Sequence, residues 1–175
     1  MDSLVAQGSA SLRHVMARYA SGVVAITGSV DGAAVGFVVS SFFSVSLEPQ
    51  LIGFCAAKSS STWARLRPTG RFCVSVLASD QRSVSETLSR PSTPAKYAAV
   101  DWQVSADGLP MIKGALAWIA CDLVDVHEAG DHEVAIGQVR TMDIAREERP
   151  LIFYRSSYHS TEPVPRHPLT PNSCP

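Results

Sequence analysis

Residues 115–144 read ALAWIACDLVDVHEAGDHEVAIGQVRTMDI, and this stretch decides the fold class. Two apolar-rich runs, Ala115–Val126 and Glu133–Ile144, flank the turn-forming quartet Glu128-Ala129-Gly130-Asp131. They predict two long strands joined as an antiparallel hairpin. Moving outward, Leu51–Ala56 is a continuous apolar run and predicts a central strand. Phe72–Leu77 and Leu151–Tyr154 predict two more. Val23–Thr27 and Ala34–Val39 read as strands joined through Val30-Asp31-Gly32, and Ser44–Leu47 alternates with period two. Helical spacing is rarer. Leu12, Val15, Met16 and Tyr19 form one face, with Ser9 or Ser11 as its cap. Trp63–Leu66 predicts a short helix, Asp80–Ser89 a longer one carrying Val84 and Leu88, and Pro91–Pro94 a loop. Strands outnumber helices and no parallel strand–helix alternation appears. The expected fold is mostly β with flanking helices, an antiparallel closed or nearly closed barrel.

The composition narrows the function classes. At 175 residues the chain is sized for one domain. We assign that domain to residues 1–160 and a proline-rich irregular tail to residues 161–175, since five of the eleven prolines fall in the last thirteen residues. Only 18% of residues are charged, against about 25% for an ordinary domain, and the mean hydropathy is +0.09. Such a chain has an unusually apolar core or buries apolar surface against a partner. A net charge of -1 without a basic run argues against a nucleic-acid binder. No apolar run is long enough to span a membrane and the first residues carry no signal core, so a cytoplasmic protein is expected. Cys55, Cys73, Cys121 and Cys174 form no CxxC pair. The first three lie in strand-like runs and read as buried thiols; no metal site is expected.

Three segments carry candidate chemistry. Lys58-Ser59-Ser60-Ser61-Thr62 follows a predicted strand and opens a helix, with Arg65 and Arg67 beyond. Hydroxyls, free amides and a lysine at a helix start suit a phosphate; the same residues also make an ordinary Ser/Thr cap beside solvated cations. Gly36 to Ser46 mixes hydroxyls with aromatics at a strand end, where a flat heterocycle can lie along the backbone, or where small residues simply face outward. Gly130-Asp131-His132 sits at the hairpin turn. His132 there is either a ligand-facing donor or a plain surface residue next to a turn former. Neither GxSxG nor HExxH is present, which argues against a serine hydrolase or a metalloprotease.

In order along the chain, these pieces resemble the short-chain flavin reductase family, the reductase components of two-component flavin-dependent monooxygenases. Arg18 to Val23 is similar to the family's "RFATGV", and Gly36 to Pro49, GFVVSSFFSVSLEP, to "GMTANSFTSVSLDP". Cys55–Leu66, Phe72–Leu77 with Gln81, Gly114–Ala117, Gly130–His132 and Gly137–Val139 follow in register. Pro150 to Tyr158 resembles "PLLFYRGxY". The resemblance covers about Leu12 to Tyr158. It implies an FMN-binding split barrel, a homodimer, and NADH or NADPH as reductant of FMN or FAD, with reduced flavin passed to a partner monooxygenase. It implies that Gly36, Phe37, Val38, Ser40, Ser41 and Ser46 line the flavin ring and ribityl chain. Cys55, Ala56, Ala57, Lys58, Ser59, Ser60, Ser61 and Thr62 would hold the rest, with Lys58, Ser59, Ser60 and Thr62 on its phosphate. His132 and Tyr158 would face the nicotinamide nucleotide. The chain departs from the pattern at Val38, Ser40, Phe43 and Ser75, where threonine, asparagine, threonine or serine, and asparagine are usual.

No catalytic side chain is expected, because hydride passes directly between the two rings and the protein's task is to hold them at reacting distance. Two other readings are a flavoprotein that retains its flavin, like a pyridoxamine-phosphate oxidase, and a non-catalytic flavin-binding module.

Overall fold

A computed structural model describes residues 9–163; most of the proline-rich tail, with Cys174, lies outside the described residues. The elements run α1 (Ser9–Met16), β1 (Ser21–Gly22), β2 (Val24–Val30), β3 (Ala33–Val39), β4 (Phe43–Leu47) and β5 (Gln50–Ala57). Then come α2 (Ser61–Leu66), β6 (Arg71–Val76), α3 (Arg82–Leu88), α4 (Pro94–Ala98), β7 (Trp102–Val104) and β8 (Pro110–Ile112). The long hairpin β9 (Ala117–Ala129) and β10 (His132–Ile144) precedes β11 (Ile152–Tyr154) and β12 (Ser157–His159).

Seven strands form one antiparallel sheet in the order β3-β2-β6-β9-β10-β5-β4. Strands β3 and β4 are neighbours in sequence yet occupy opposite edges, so the sheet must roll on itself. The expected split barrel is what results. β5 is paired on both sides, with β10 and β4, and stands second from an edge rather than at the centre. Asp31 and Gly32 both take positive φ, 54° and 77°, which joins β2 to β3 through the turn geometry that matches strand twist.

Inside the roll, Phe54 meets Phe72 and Trp63 edge-on with centroids 5.3 and 5.5 Å apart, within a core that includes Ile26, Phe37 and Leu66. Helix α2 plugs this end. Leu66 packs on Gly28, where a Cβ would stand 2.3 Å from Leu66 Cδ1. A second core, built on Val23, Leu77, Ile112 and Leu151, is covered by Leu88 of α3. Ser75, one of the departures from the family pattern, is buried and accepts the Ile112 amide at 3.1 Å.

Other expectations shift in detail. The first helix starts at Ser9, and Leu12, Val15, Met16 and Tyr19 are exposed. The predicted Asp80–Ser89 helix splits into a 3-10 turn over Ser79–Gln81 and α3. Helix α4 starts at the end of the predicted loop, with Thr93 as cap and Pro94 in its first turn. Cys73 and Cys121 are free and buried, and burial pushes both thiols up to about 12. Cys55 is only half-buried.

Candidate functional site

The end of β3, the end of β5, the segment leading into α2, the α3–α4 connection and the first residue of β10 enclose a cavity of about 690 Å³. That is within the range of roughly 300–1,000 Å³ typical of small-molecule sites.

Strand pleating sorts the residues. Cys55 and Ala57 line the cavity, while Ala56 points the other way into the core. On β10, His132 pairs with Ala57 and Glu133 with Ala56. His132 accordingly lines the cavity. Glu133 is buried on the opposite face, where its carboxylate accepts Trp63 Nε1 at 2.7 Å and Arg67 Nη1 at 2.6 Å. Those two bonds, the Trp63 one foremost, hold the carboxyl below its ordinary range.

From β3 and its continuation, Phe37, Val38, Ser40 and Ser41 line the cavity, joined by Val39. Ser41 Oγ accepts the Cys55 amide at 2.9 Å and donates to the Cys55 carbonyl at 3.1 Å. Gly36 lies outside the lining: a Cβ there would meet Thr27 Cγ2 at 3.0 Å and Trp102 at 3.4 Å. Ser46 sits on edge strand β4, beside its register irregularity.

Ser59, Ser60, Ser61 and Thr62 all line the cavity. The Ser60 hydroxyl serves as the helix cap, accepting the Trp63 amide at 3.2 Å. Thr62 Oγ1 and the Tyr97 hydroxyl share a bond of 2.9 Å, and Tyr97 in turn meets Ser92 Oγ at 2.7 Å. Lys58 goes elsewhere. It is ion-paired to Glu128 and, with Trp63, Arg67 and Glu133, lines a separate cleft of about 280 Å³.

At the turn, Gly130 supplies positive φ at 68°. Asp131 Oδ1 stands 2.8 Å from His132 Nδ1. The aspartate can only accept, so Nδ1 carries the proton and Nε2 is left for a ligand. Hydrogen bonding from His132 lowers the Asp131 pKa. Tyr158 lies away from the cavity lining: its hydroxyl meets Ser85 of α3 at 2.9 Å and its ring packs edge-on against Phe153.

Sequence reading passed over the far wall, which comprises Leu88 to Ser92 and Lys96. The Thr93-Pro94 cap-and-proline start of α4 is the signal that would have put Lys96 on a helix. Arg90, Lys96 and His132 line the cavity, and among the described residues no carboxylate does. Apolar walls, hydroxyls and an excess of positive charge together suit a flat heterocycle with an anionic tail. Among the described residues, no group of three or more His, Cys, Asp or Glu could hold a metal ion.

The family model for a "Flavin reductase like domain" matches residues 16–162. The chain is 45% identical over 151 residues to the reductase subunit HsaB of a flavin-dependent monooxygenase from Rhodococcus jostii, covering 86% of this chain and 77% of that one. Its structure is similar to nitrilotriacetate monooxygenase component B from Mycobacterium thermoresistibile, with a TM-score of 0.84 at 40% identity over 94% of this chain and 92% of that one. It is also similar to the NADH:FAD oxidoreductase SgcE6 of Streptomyces globisporus, in complex with NAD and FAD fragments, with a TM-score of 0.81 at 30% identity over 88% and 93% of the two chains.

Proposed function

Because the chain belongs to the flavin reductase like domain family, we propose that its cavity is where an NAD(P)H:flavin oxidoreductase reduces FMN or FAD. The reduced flavin is supplied to a partner monooxygenase; its relative HsaB bears the name of a reductase subunit of a flavin-dependent monooxygenase. One observation carries the placement: among the described residues, the cavity is lined by hydroxyls, apolar strand residues and cations, with no carboxylate.

When bound, flavin and nicotinamide carry the hydride chemistry between them. The chain's own residues bind, orient and exclude water. Phe37, Val38 and Val39 offer an apolar wall and a strand-end backbone to the ring system. Ser41, bonded to both the amide and the carbonyl of Cys55, keeps that wall in register with β5. Ser59 to Thr62 face the phosphate with hydroxyls and amides. His132, oriented by Asp131, presents Nε2 at the rim to the nicotinamide nucleotide.

The protomer exposes Leu12, Val15, Met16 and Tyr19 on and just after α1, and Leu47 at 86% on edge strand β4. These apolar surfaces support a homodimer. Among the described residues no helix is long and apolar enough to cross a membrane, and the proposed setting is the cytoplasm.

The test is to mix the purified chain with NADH or NADPH and free FMN or FAD and follow loss of the nicotinamide absorbance. Multiple turnovers of added flavin support the reading. Flavin that stays bound through dialysis and never reaches an added monooxygenase would favour a retained prosthetic group.

A further inference from the structure

We propose that Glu133 is a positioning residue for the reductant: acting through the Trp63 indole, it fixes His132 relative to the opposite wall of the cavity. This rests on the placement of His132 at the nicotinamide nucleotide given above.

Glu133 heads the inward-facing row of β10, followed by Ala135 and Gly137, both buried. Its neighbour on β5, Ala56, is buried as well. An apolar side chain would continue that row at lower cost, since a buried carboxylate must replace its lost hydration. Glu133 replaces it by accepting from Trp63 Nε1 at 2.7 Å and from Arg67 Nη1 at 2.6 Å. Trp63 lies within α2 and Arg67 is the residue that caps its C-terminus. Hydrogen bonds are directional, whereas the packing of Leu66 from the same helix on Gly28 is not. The carboxylate therefore fixes how α2 is turned against β10, which apolar contact alone leaves free.

The line continues across the interior. The Trp63 ring meets Phe37 edge-on with centroids 6.3 Å apart. Phe37 lies on β3 and lines the cavity. Along the sheet, β3 and β10 are separated by β2, β6 and β9. Glu133, Trp63 and Phe37 join them directly through the roll. The two ends of this tie belong to two walls of the cavity. Phe37 stands on the flavin-ring side, and His132 precedes Glu133 on β10 and faces the other way, into the cavity. Two ligands that exchange a hydride must be held at contact distance, and a misplacement of about 1 Å can cost about a hundredfold in rate. The tie sets the spacing of the walls without touching either ligand.

The full-length wild type, Glu133→Ala, Trp63→Phe, His132→Ala and the double variant of Glu133→Ala with His132→Ala are compared in steady-state turnover of NADH with added FMN. The Michaelis constant for NADH should rise about three- to tenfold in Glu133→Ala, and also in Trp63→Phe, which keeps a ring but loses the N–H. FMN affinity should change less, because Phe37 keeps its place on β3. Glu133→Gln retains an acceptor for Trp63 and should recover part of the loss. The double variant should match His132→Ala alone, since the tie then has no imidazole to position. Lower melting temperatures with an unchanged Michaelis constant would make Glu133 merely structural and overturn the proposal. A double variant clearly worse than His132→Ala overturns it too. If Glu133→Ala fails to fold, Trp63→Phe and Glu133→Gln, alone and with His132→Ala, carry the same comparison. An unchanged Michaelis constant in His132→Ala overturns the placement of His132 itself, and a wild type that oxidises no NADH overturns the reductase reading.

Discussion

A single hydroxyl, Ser41 Oγ, occupies both polar groups of the Cys55 backbone, accepting from its amide and donating to its carbonyl. Ser41 lies in the link between β3 and β4, whereas Cys55 is on β5, so this reciprocal pair ties the rolled sheet together along one side of the cavity. Ser41→Ala should leave two partly buried backbone groups unpaired and destabilise the fold by about 1–3 kcal/mol. Denaturant unfolding measures that cost. Flavin titration should show weakened binding, and a variant with wild-type stability would deny the tie its role.

Glu133 provides a pH-dependent contribution. Its carboxyl is held below the ordinary value of 4.5, first by the Trp63 hydrogen bond and then by Arg67. A depressed carboxylate stabilises the fold above the unfolded-state value and loses that contribution as pH falls through the folded-state value. The wild-type melting temperature should therefore decline below about pH 4.5 more steeply than that of Glu133→Gln. Parallel curves would show that the tether of α2 to β10 contributes nothing.

His132→Ala should raise the Michaelis constant for NADH, by about tenfold for a lost contact of roughly 1–1.5 kcal/mol. Flavin affinity should stay near wild type. Tyr158→Phe makes a contrast, because its hydroxyl bonds Ser85 and its loss should lower stability by about 0.5–1.5 kcal/mol with little change in NADH kinetics. Steady-state kinetics and melting of the two variants separate a ligand contact from a packing contact.

The three thiols among the described residues should react very unequally. Cys73 and Cys121 are buried with pKa values pushed up to about 12, so they remain protonated and shielded at neutral pH. Cys55 is half-buried and lines the cavity. Alkylation followed by peptide mapping should label Cys55 first, and bound FMN should protect it. Labelling that FMN leaves unchanged would place the flavin elsewhere.

Gly137 is a close-approach position on β10. A Cβ there would stand 2.4 Å from Phe72 Cζ and 3.1 Å from Cys121 Cβ, and Phe72 is fully enclosed in the core. Gly137→Ala should cost about 1–3 kcal/mol through overpacking. Denaturant unfolding at unchanged slope checks it.

Much of this molecule was legible in the chain because its long strands announce themselves. The hairpin of β9 and β10, the β2–β3 turn at Asp31-Gly32 and the helix opening at Ser60-Ser61 all carry local signals that the fold obeys. Among the elements passed over, β7, β8 and β12 are three residues each, too short to show a period, and exist because neighbours pair with them. Lys58 shows how nearness in sequence misleads. Extending the two-residue period of β5 one step past Ala57 turns its side chain away from the cavity and toward Glu128. Lys96 reaches the cavity from 35 or so positions downstream, through a helix start marked only by Thr93 and Pro94. Tyr158 matched by position, but a long-range partner, Ser85, holds its hydroxyl.

The register of the long hairpin carries a constraint of another kind. Val124 on β9 and Arg140 on β10 are each extra residues at a break in the pairing, one per strand, so the two irregularities offset each other. Between Gly137 and the turn the strands therefore run in one fixed phase, and His132 and Glu133 face opposite ways because of it. A one-residue deletion in that interval would reverse the phase. It would send a carboxylate into a cavity that has none among the described residues and bring the imidazole to Trp63 and Arg67. Related chains that keep this activity should thus exclude length changes along residues 132–137, unless a second, compensating one restores the phase.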